Sequence, residues 1–220
     1  GVVETAGVDL DVGEPELATH LPHVGDVVFP DDEELTMKVA IIGGTGFVGS
    51  YLVDALLAAG HTPRLLVRPG SEDKVRQSER CELVDGAVDD DQALHEVLAG
   101  SDAAIYNIGI LREVPEEGVT FQALQEDGAK RAVDLAAAEG VRRFILMSAN
   151  GVRLDGTPYQ RTKAAAEEHL KASGLDWTIF RPSLVFGDPR GRLEFCTQMR
   201  DDLVDKPLPA PLFHDGVSPK

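Results

Sequence analysis

Tyr159 and Lys163 stand four residues apart in the stretch Thr157-Pro158-Tyr159-Gln160-Arg161-Thr162-Lys163. Thr157-x-x-Gln160 has the form of a capping box, and Pro158 fits the first position of a helix. Tyr159 then lies in the first turn, with Lys163 on the same face. A tyrosine hydroxyl, with an ordinary pKa of about 10, is a poor acid–base group at neutral pH. A neighbouring ammonium favours the phenolate and is expected to lower that value. Such a pair can exchange a proton with a hydroxyl or carbonyl while a second group exchanges hydride. Alone, Tyr-x-x-x-Lys also arises by chance as a surface tyrosine and a solvated lysine.

A second constellation narrows the chemistry. Ile41-Ile42-Gly43-Gly44-Thr45-Gly46-Phe47-Val48-Gly49 sets three glycines at three-residue spacing between an apolar run and an amphipathic one. In a strand–turn–helix, Gly43 allows the tight turn and Gly46 lets a pyrophosphate approach the backbone. Gly49 lets the helix pack against the strand. The N–H groups and dipole of the helix start then receive the phosphates. A dinucleotide is the expected ligand. Folds that hold NAD usually place an acid after the second strand, on the ribose 2′-hydroxyl. Here that strand runs Arg64-Leu65-Leu66-Val67-Arg68-Pro69-Gly70-Ser71, with no acid. Arg68 suits a 2′-phosphate, so NADP is favoured and NAD remains the alternative.

These residues need a parallel sheet to present them. Strands are expected at 38–42, 63–68, 81–85, 103–108, 142–148 and 177–181. Helices are expected at 46–59, 91–99, 119–139 and 158–173, the first with a core stripe of Val48, Leu52, Leu56 and Leu57. Gly60, Gly100, Gly140 and Gly174 sit where these helices should stop. Strands separated by helices imply βαβ crossovers. The fold class is therefore α/β, a Rossmann-like doubly wound parallel sheet of order 3-2-1-4-5-6. The cofactor would lie across its carboxyl edge. Residues 37–187 form this domain. Residues 188–220, rich in Pro and Gly, read as the start of an incomplete substrate-binding lobe.

The chain has 220 residues and a formal charge of −17. Ten of its 38 acids lie in residues 1–36, which hold no Lys or Arg, so residues 37–220 carry −7. Residues 1–36 read as an acidic, mobile leader. The charge argues against nucleic acid and anionic membrane surfaces as partners. No basic n-region precedes an apolar stretch, so no signal peptide is visible, and the apolar stretch 40–60 is broken by five glycines and Asp54. Cys81 and Cys196 form no disulfide framework, so a cytoplasmic, reducing location is the default. The six histidines are scattered and no metal site is expected. Asp89, Asp90 and Asp91 read as caps of the following helix.

Taken together, the glycine turn and the Tyr159–Lys163 pair resemble the short-chain dehydrogenase/reductase superfamily. The turn Gly43-Gly44-Thr45-Gly46-Phe47-Val48-Gly49 is similar to its extended and atypical branches. Arg181-Pro182-Ser183-Leu184-Val185-Phe186-Gly187 is similar to the stretch after its sixth strand. Asn107-Ile108-Gly109-Ile110-Leu111-Arg112-Glu113, Gly118-Val119-Thr120-Phe121 and Gly140-Val141-Arg142-Arg143-Phe144 resemble relatives of the NADPH-binding accessory subunit of respiratory complex I. The resemblance covers about residues 37–215. It implies that Thr45, Phe47, Val48, Val88, Asn107 and Gly109 join Gly43, Gly46, Gly49 and Arg68 at the cofactor. It implies that Pro182 and Ser183 contact the nicotinamide and that Lys163 holds a ribose. It also implies that Ser148 donates to the substrate oxygen beside Tyr159, although the interval from Ser148 to Tyr159 is short for the family. Two functions are compatible with this resemblance. One is an NADP-dependent oxidoreductase or epimerase-like enzyme acting on a small molecule. The other is a cofactor-binding accessory, assembly or redox-sensor protein without turnover, associated with a respiratory complex or with its own copies.

Overall fold

In the computed structural model the apolar run Lys38–Ile42 forms strand β3 at the centre of the sheet. The structure describes residues 36–192, the strands 4–5 and 8–12, and residues 196, 197 and 200. The elements are β1 (Glu4–Thr5), β2 (Val8–Val12), β3, α1 (Phe47–Ala58), β4 (Thr62–Val67), β5 (Glu82–Asp85), α2 (Asp91–Leu98), β6 (Ala103–Tyr106), α3 (Gly128–Ala138), β7 (Arg143–Met147), α4 (Pro158–Ala172), β8 (Asp176–Pro182) and β9 (Val185–Phe186). Six strands are parallel in the order β5-β4-β3-β6-β7-β8, which is the expected 3-2-1-4-5-6 arrangement.

Strand alternation sorts the side chains into two cores. Val39 and Ile41 face α1 with Val53, Leu57 and Ile105. Ala40 and Ile42 face the other way, with Leu94 of α2, Val133 of α3 and Leu170 of α4. Each fully buried Leu or Ile contributes about 1.5–3 kcal/mol relative to an exposed one. Helices thus cover both faces, as a doubly wound sheet requires. At the helix ends Gly60, Gly100, Gly140 and Gly174 adopt φ of 77, 68, 74 and 79°, as stop glycines do. Asp90 caps α2 by accepting from the Gln92 and Ala93 N–H groups.

Two local expectations are refined. The most buried face of α1 is Phe47, Gly49, Ser50, Val53 and Leu57, and of the expected stripe Leu57 is in the core while Leu52 and Leu56 pack against it partly buried. Gly49 must lie against the glycine turn, and that contact selects the face repeating four residues on. The expected helix 119–139 is divided. A π-helical turn spans Gln122–Asp127, and α-helix begins only at Gly128. Packing against β6 is close here: a Cβ at Gly128 would lie 2.6 Å from the Tyr106 hydroxyl, which donates to Leu124 O within the π-turn at 2.5 Å. Residues 72–74 and 78–80 form short 3-10 turns after β4.

Within the acidic segment 1–36, β2 runs antiparallel to β8 and β1 pairs with β9. Val8-Asp9-Leu10-Asp11-Val12 alternates apolar and acidic residues, a strand pattern hidden by the segment's charge. The remainder of 1–35, and most of the expected lobe past Arg192, fall outside the described residues.

Candidate functional site: the cleft at the carboxyl edge

β3 leads to β4 on one side and neighbours β6 on the other, so the loops after β3 and β6 diverge and leave a crevice. Its floor is the glycine turn. Gly43 adopts φ 99°, and a Cβ there would stand 3.0 Å from the Asn107 backbone after β6. A Cβ at Gly49 would lie 2.7 Å from the backbone of Gly44. Those two glycines serve the fold itself. Gly46 does not, since a Cβ there would meet only Gly43 O, at 3.6 Å. Gly46 is the N-cap of α1 and supplies no side-chain cap, and the first turn holds no acid. The opening N–H groups of α1 therefore keep their capacity for phosphate. This uncapped, side-chain-free cradle fits a pyrophosphate.

An open cleft of about 470 Å³ rises from this floor. Its walls bring together Gly43, Thr45, Gly46, Arg68, Val88, Asn107 and Gly109 of the expected cofactor residues. Asn107 is tied to the turn, its Nδ2 donating to Gly43 O at 3.4 Å. Arg68 is exposed at one end, and among the described residues its guanidinium has no hydrogen-bond or ion-pair partner. Phe47, Val48 and Gly49 do not line the cleft. Phe47 is buried edge-on to Tyr51 behind the turn. Pro182 is buried at the end of β8, where its carbonyl accepts from Asn150 N, and Ser183 follows it, exposed.

α4 starts as its capping signal requires: Thr157 accepts from Gln160 N, and Gln160 Oε1 accepts from Thr157 N at 3.0 Å. Lys163 is 3% exposed. Its ammonium donates to Met147 O at 2.8 Å and Ile108 O at 3.0 Å, clasping the ends of β7 and β6 beside the cleft. Burial pulls its pKa down to about 8, and the Glu167 carboxylate pushes the other way. Tyr159 is half-buried with its ring edge-on to Phe121. Among the described residues its hydroxyl has no hydrogen-bond partner. Burial raises its pKa, contrary to the expected lowering. The physical reason is that the two Lys163 hydrogen bonds go to the Ile108 and Met147 carbonyls and none reaches the phenol.

Ser148 is 4% exposed and is not among the residues lining the cleft, and its hydroxyl donates to Glu167 on α4. The spacing rules missed Glu167 because its partners Ser148 and Arg181 are distant in sequence. They also missed Gln125, which is buried in the π-turn. It donates to Ile110 O at 3.0 Å and accepts from Thr162. Among the described residues there is no cluster able to hold a metal ion and no helix long and apolar enough to cross a membrane.

Residues 43–206 match a family model described as NAD(P)H-binding. The chain is 34% identical over 150 residues to the ceramide reductase of Caulobacter vibrioides, covering 68% of this chain and 46% of that protein. It is 31% identical over 146 residues to the photosystem II assembly factor Ycf39 of Cyanophora paradoxa, covering 66% and 44%. The chain thus spans less than half the length of these relatives. A putative NAD-dependent epimerase/dehydratase from Bacillus halodurans superposes with TM-score 0.60 at 27% identity, over 67% of this chain and 71% of that one. The Bordetella bronchiseptica enzyme WbmH, solved with NAD+, shares the fold with TM-score 0.55 at 20% identity, over 64% and 54%. The cradle, the cleft and these matches agree on a nicotinamide dinucleotide as cofactor, and the chain belongs to the NAD(P)H-binding family as an atypical short-chain dehydrogenase/reductase with a Rossmann domain.

Proposed function

We propose that this domain binds NADP in preference to NAD and serves an oxidoreductase or epimerase-like reaction that uses Tyr159 and Lys163. The observation that carries the cofactor choice is Arg68, which lines the cleft with a guanidinium that has no partner among the described residues, after a strand with no acid at its end. A guanidinium meets a phosphate with paired, charge-assisted hydrogen bonds. The bound dinucleotide supplies or accepts hydride. Lys163, fixed between β6 and β7, holds a ribose. Tyr159, one turn earlier on α4, transfers the proton to or from the substrate oxygen. The similarity to a ceramide reductase supports carbonyl chemistry at this edge.

A second function is favoured by one contact. With the Ser148 hydroxyl given to Glu167, the substrate oxygen loses its expected second donor. A non-catalytic accessory role, with the dinucleotide stabilising an interface, accords with that loss and with the similarity to an assembly factor.

Fluorescence titration separates the cofactors. Arg68→Ala is expected to weaken NADPH about tenfold or more, the worth of a charged hydrogen bond, and to leave NADH unchanged. Equal affinities for NADPH and NADH in the unaltered protein overturn the 2′-phosphate role. For turnover, NADPH consumption is followed with carbonyl substrates. Tyr159→Phe is expected to abolish it while nucleotide binding persists. Consumption that is absent, or indifferent to Tyr159→Phe, leaves the accessory role.

A further inference from the structure

Glu167 is a buried carboxylate that the Tyr159–Lys163 chemistry does not use. It lies on α4 one turn beyond Lys163, on the same face, and is 3% exposed. Two segments converge on it. From the end of β7, the Ser148 hydroxyl donates to Oε1. From β8, Arg181 Nε lies 3.0 Å from Oε1, and Nη2 lies 2.7 Å from Oε2. A carboxylate held by a two-toothed guanidinium and a hydroxyl cannot turn away from its place.

We propose that Glu167 is a positioning residue of the dinucleotide site, the anchored counter-charge that keeps the Lys163 ammonium protonated where it meets the cofactor ribose. This rests on the ribose-holding role of Lys163 given above. The Lys163 ammonium donates to two carbonyls, which orient it but carry no net charge. A buried cation without a counter-charge tends to shed its proton. The other acids on elements packed against α4 are engaged elsewhere. In the π-turn, Glu126 pairs with Lys130 at 2.7 Å and Asp127 accepts from Gln122 at 2.8 Å. On α3, Asp134 meets His169 at 2.7 Å. On β8, Arg181 faces Glu167 itself. Tyr159 is the remaining titratable group on the same helix face, and burial keeps it neutral.

The test is an NMR titration of protein carrying 13Cε-labelled lysine, with the Lys163 signal assigned by its loss in Lys163→Arg. Glu167→Gln is expected to lower the Lys163 midpoint by about one pH unit. Glu167→Asp, which retains the charge, is expected to return it to near the wild-type value. A folded Glu167→Gln protein with an unmoved midpoint overturns the proposal. Should that variant fail to fold, Arg181→Met, which releases the carboxylate from its guanidinium and removes a nearby cation, is expected to raise the Lys163 midpoint, and an unmoved midpoint there overturns the proposal. NADPH affinity measured across the same pH range reports the ribose role separately. Its alkaline fall should track the Lys163 midpoint in each variant. A midpoint that moves while affinity stays flat overturns the ribose role of Lys163 and not the counter-charge role of Glu167.

Discussion

Lys163 carries a charge that folding removes from water, and its pH behaviour follows. Its pKa falls from 10.5 to about 8 on burial. Below pH 8 both folded and unfolded chains hold the proton, and burial of the cation costs stability in full. Between about pH 8 and 10.5 the folded chain has shed the proton and the unfolded chain has not, so the cost fades and stability rises with pH. Denaturant melts of the nucleotide-free protein should show this rise, and Lys163→Met should flatten it. Nucleotide affinity should move oppositely, falling above pH 8 by up to about tenfold per pH unit as the ammonium is lost. At this scale the sequence was partly legible. Tyr159, Lys163 and Arg68 announce themselves by type and spacing. The commitment of Ser148 to Glu167 does not, because it needs a partner 19 residues away on another element.

The glycine turn and α1 show how one element answers to two demands. Gly49 serves the packing of the helix on the strand, whereas Gly46 serves the space above it. Gly49→Ala is therefore expected to lower stability by about 3 kcal/mol, the upper range for overpacking against unyielding backbone. Gly46→Ala is expected to leave the melting temperature within a few degrees and to weaken dinucleotide binding. Thermal melts with and without NADPH distinguish the two variants. At the start of α4, Thr157→Ala should cost about 1 kcal/mol by removing the N-cap. Element positions were legible because period and stop glycines are local signals. The buried face of α1 was only partly legible: Leu57, Leu52 and Leu56 do meet the core, but the central place of Val53 follows from Gly49 against the turn and not from apolar character. The π-turn at 122–127, whose Leu124 carbonyl accepts from Tyr106 of β6, was not legible.

Over the whole molecule, charge and topology separate what composition had merged. The excess of acids sits in residues 1–36, yet Val8–Val12 aligns beside β8 as a seventh strand. The segment 188–192 returns across the sheet's edge to the first turn of the fold. The Tyr51 hydroxyl donates to Asp188 O at 3.0 Å, and the Arg190 guanidinium lies 3.5 Å over the Tyr51 ring and 2.7 Å from Asp54. Arg192 Nε donates to Thr45 O at 3.0 Å. Arg192→Ala should loosen the turn that receives the pyrophosphate, so NADPH and NADH affinities are expected to fall together by several-fold, in contrast to Arg68→Ala. Paired titrations of the two nucleotides check this.

That returning segment also has a mechanical consequence. Tension on the chain beyond Arg192 is borne first by the guanidinium grips on Thr45 and Asp54, and only afterwards by the β8 ladder. A tug from whatever follows residue 192 would thus be felt at the floor of the cofactor cleft, about 147 positions earlier in the chain.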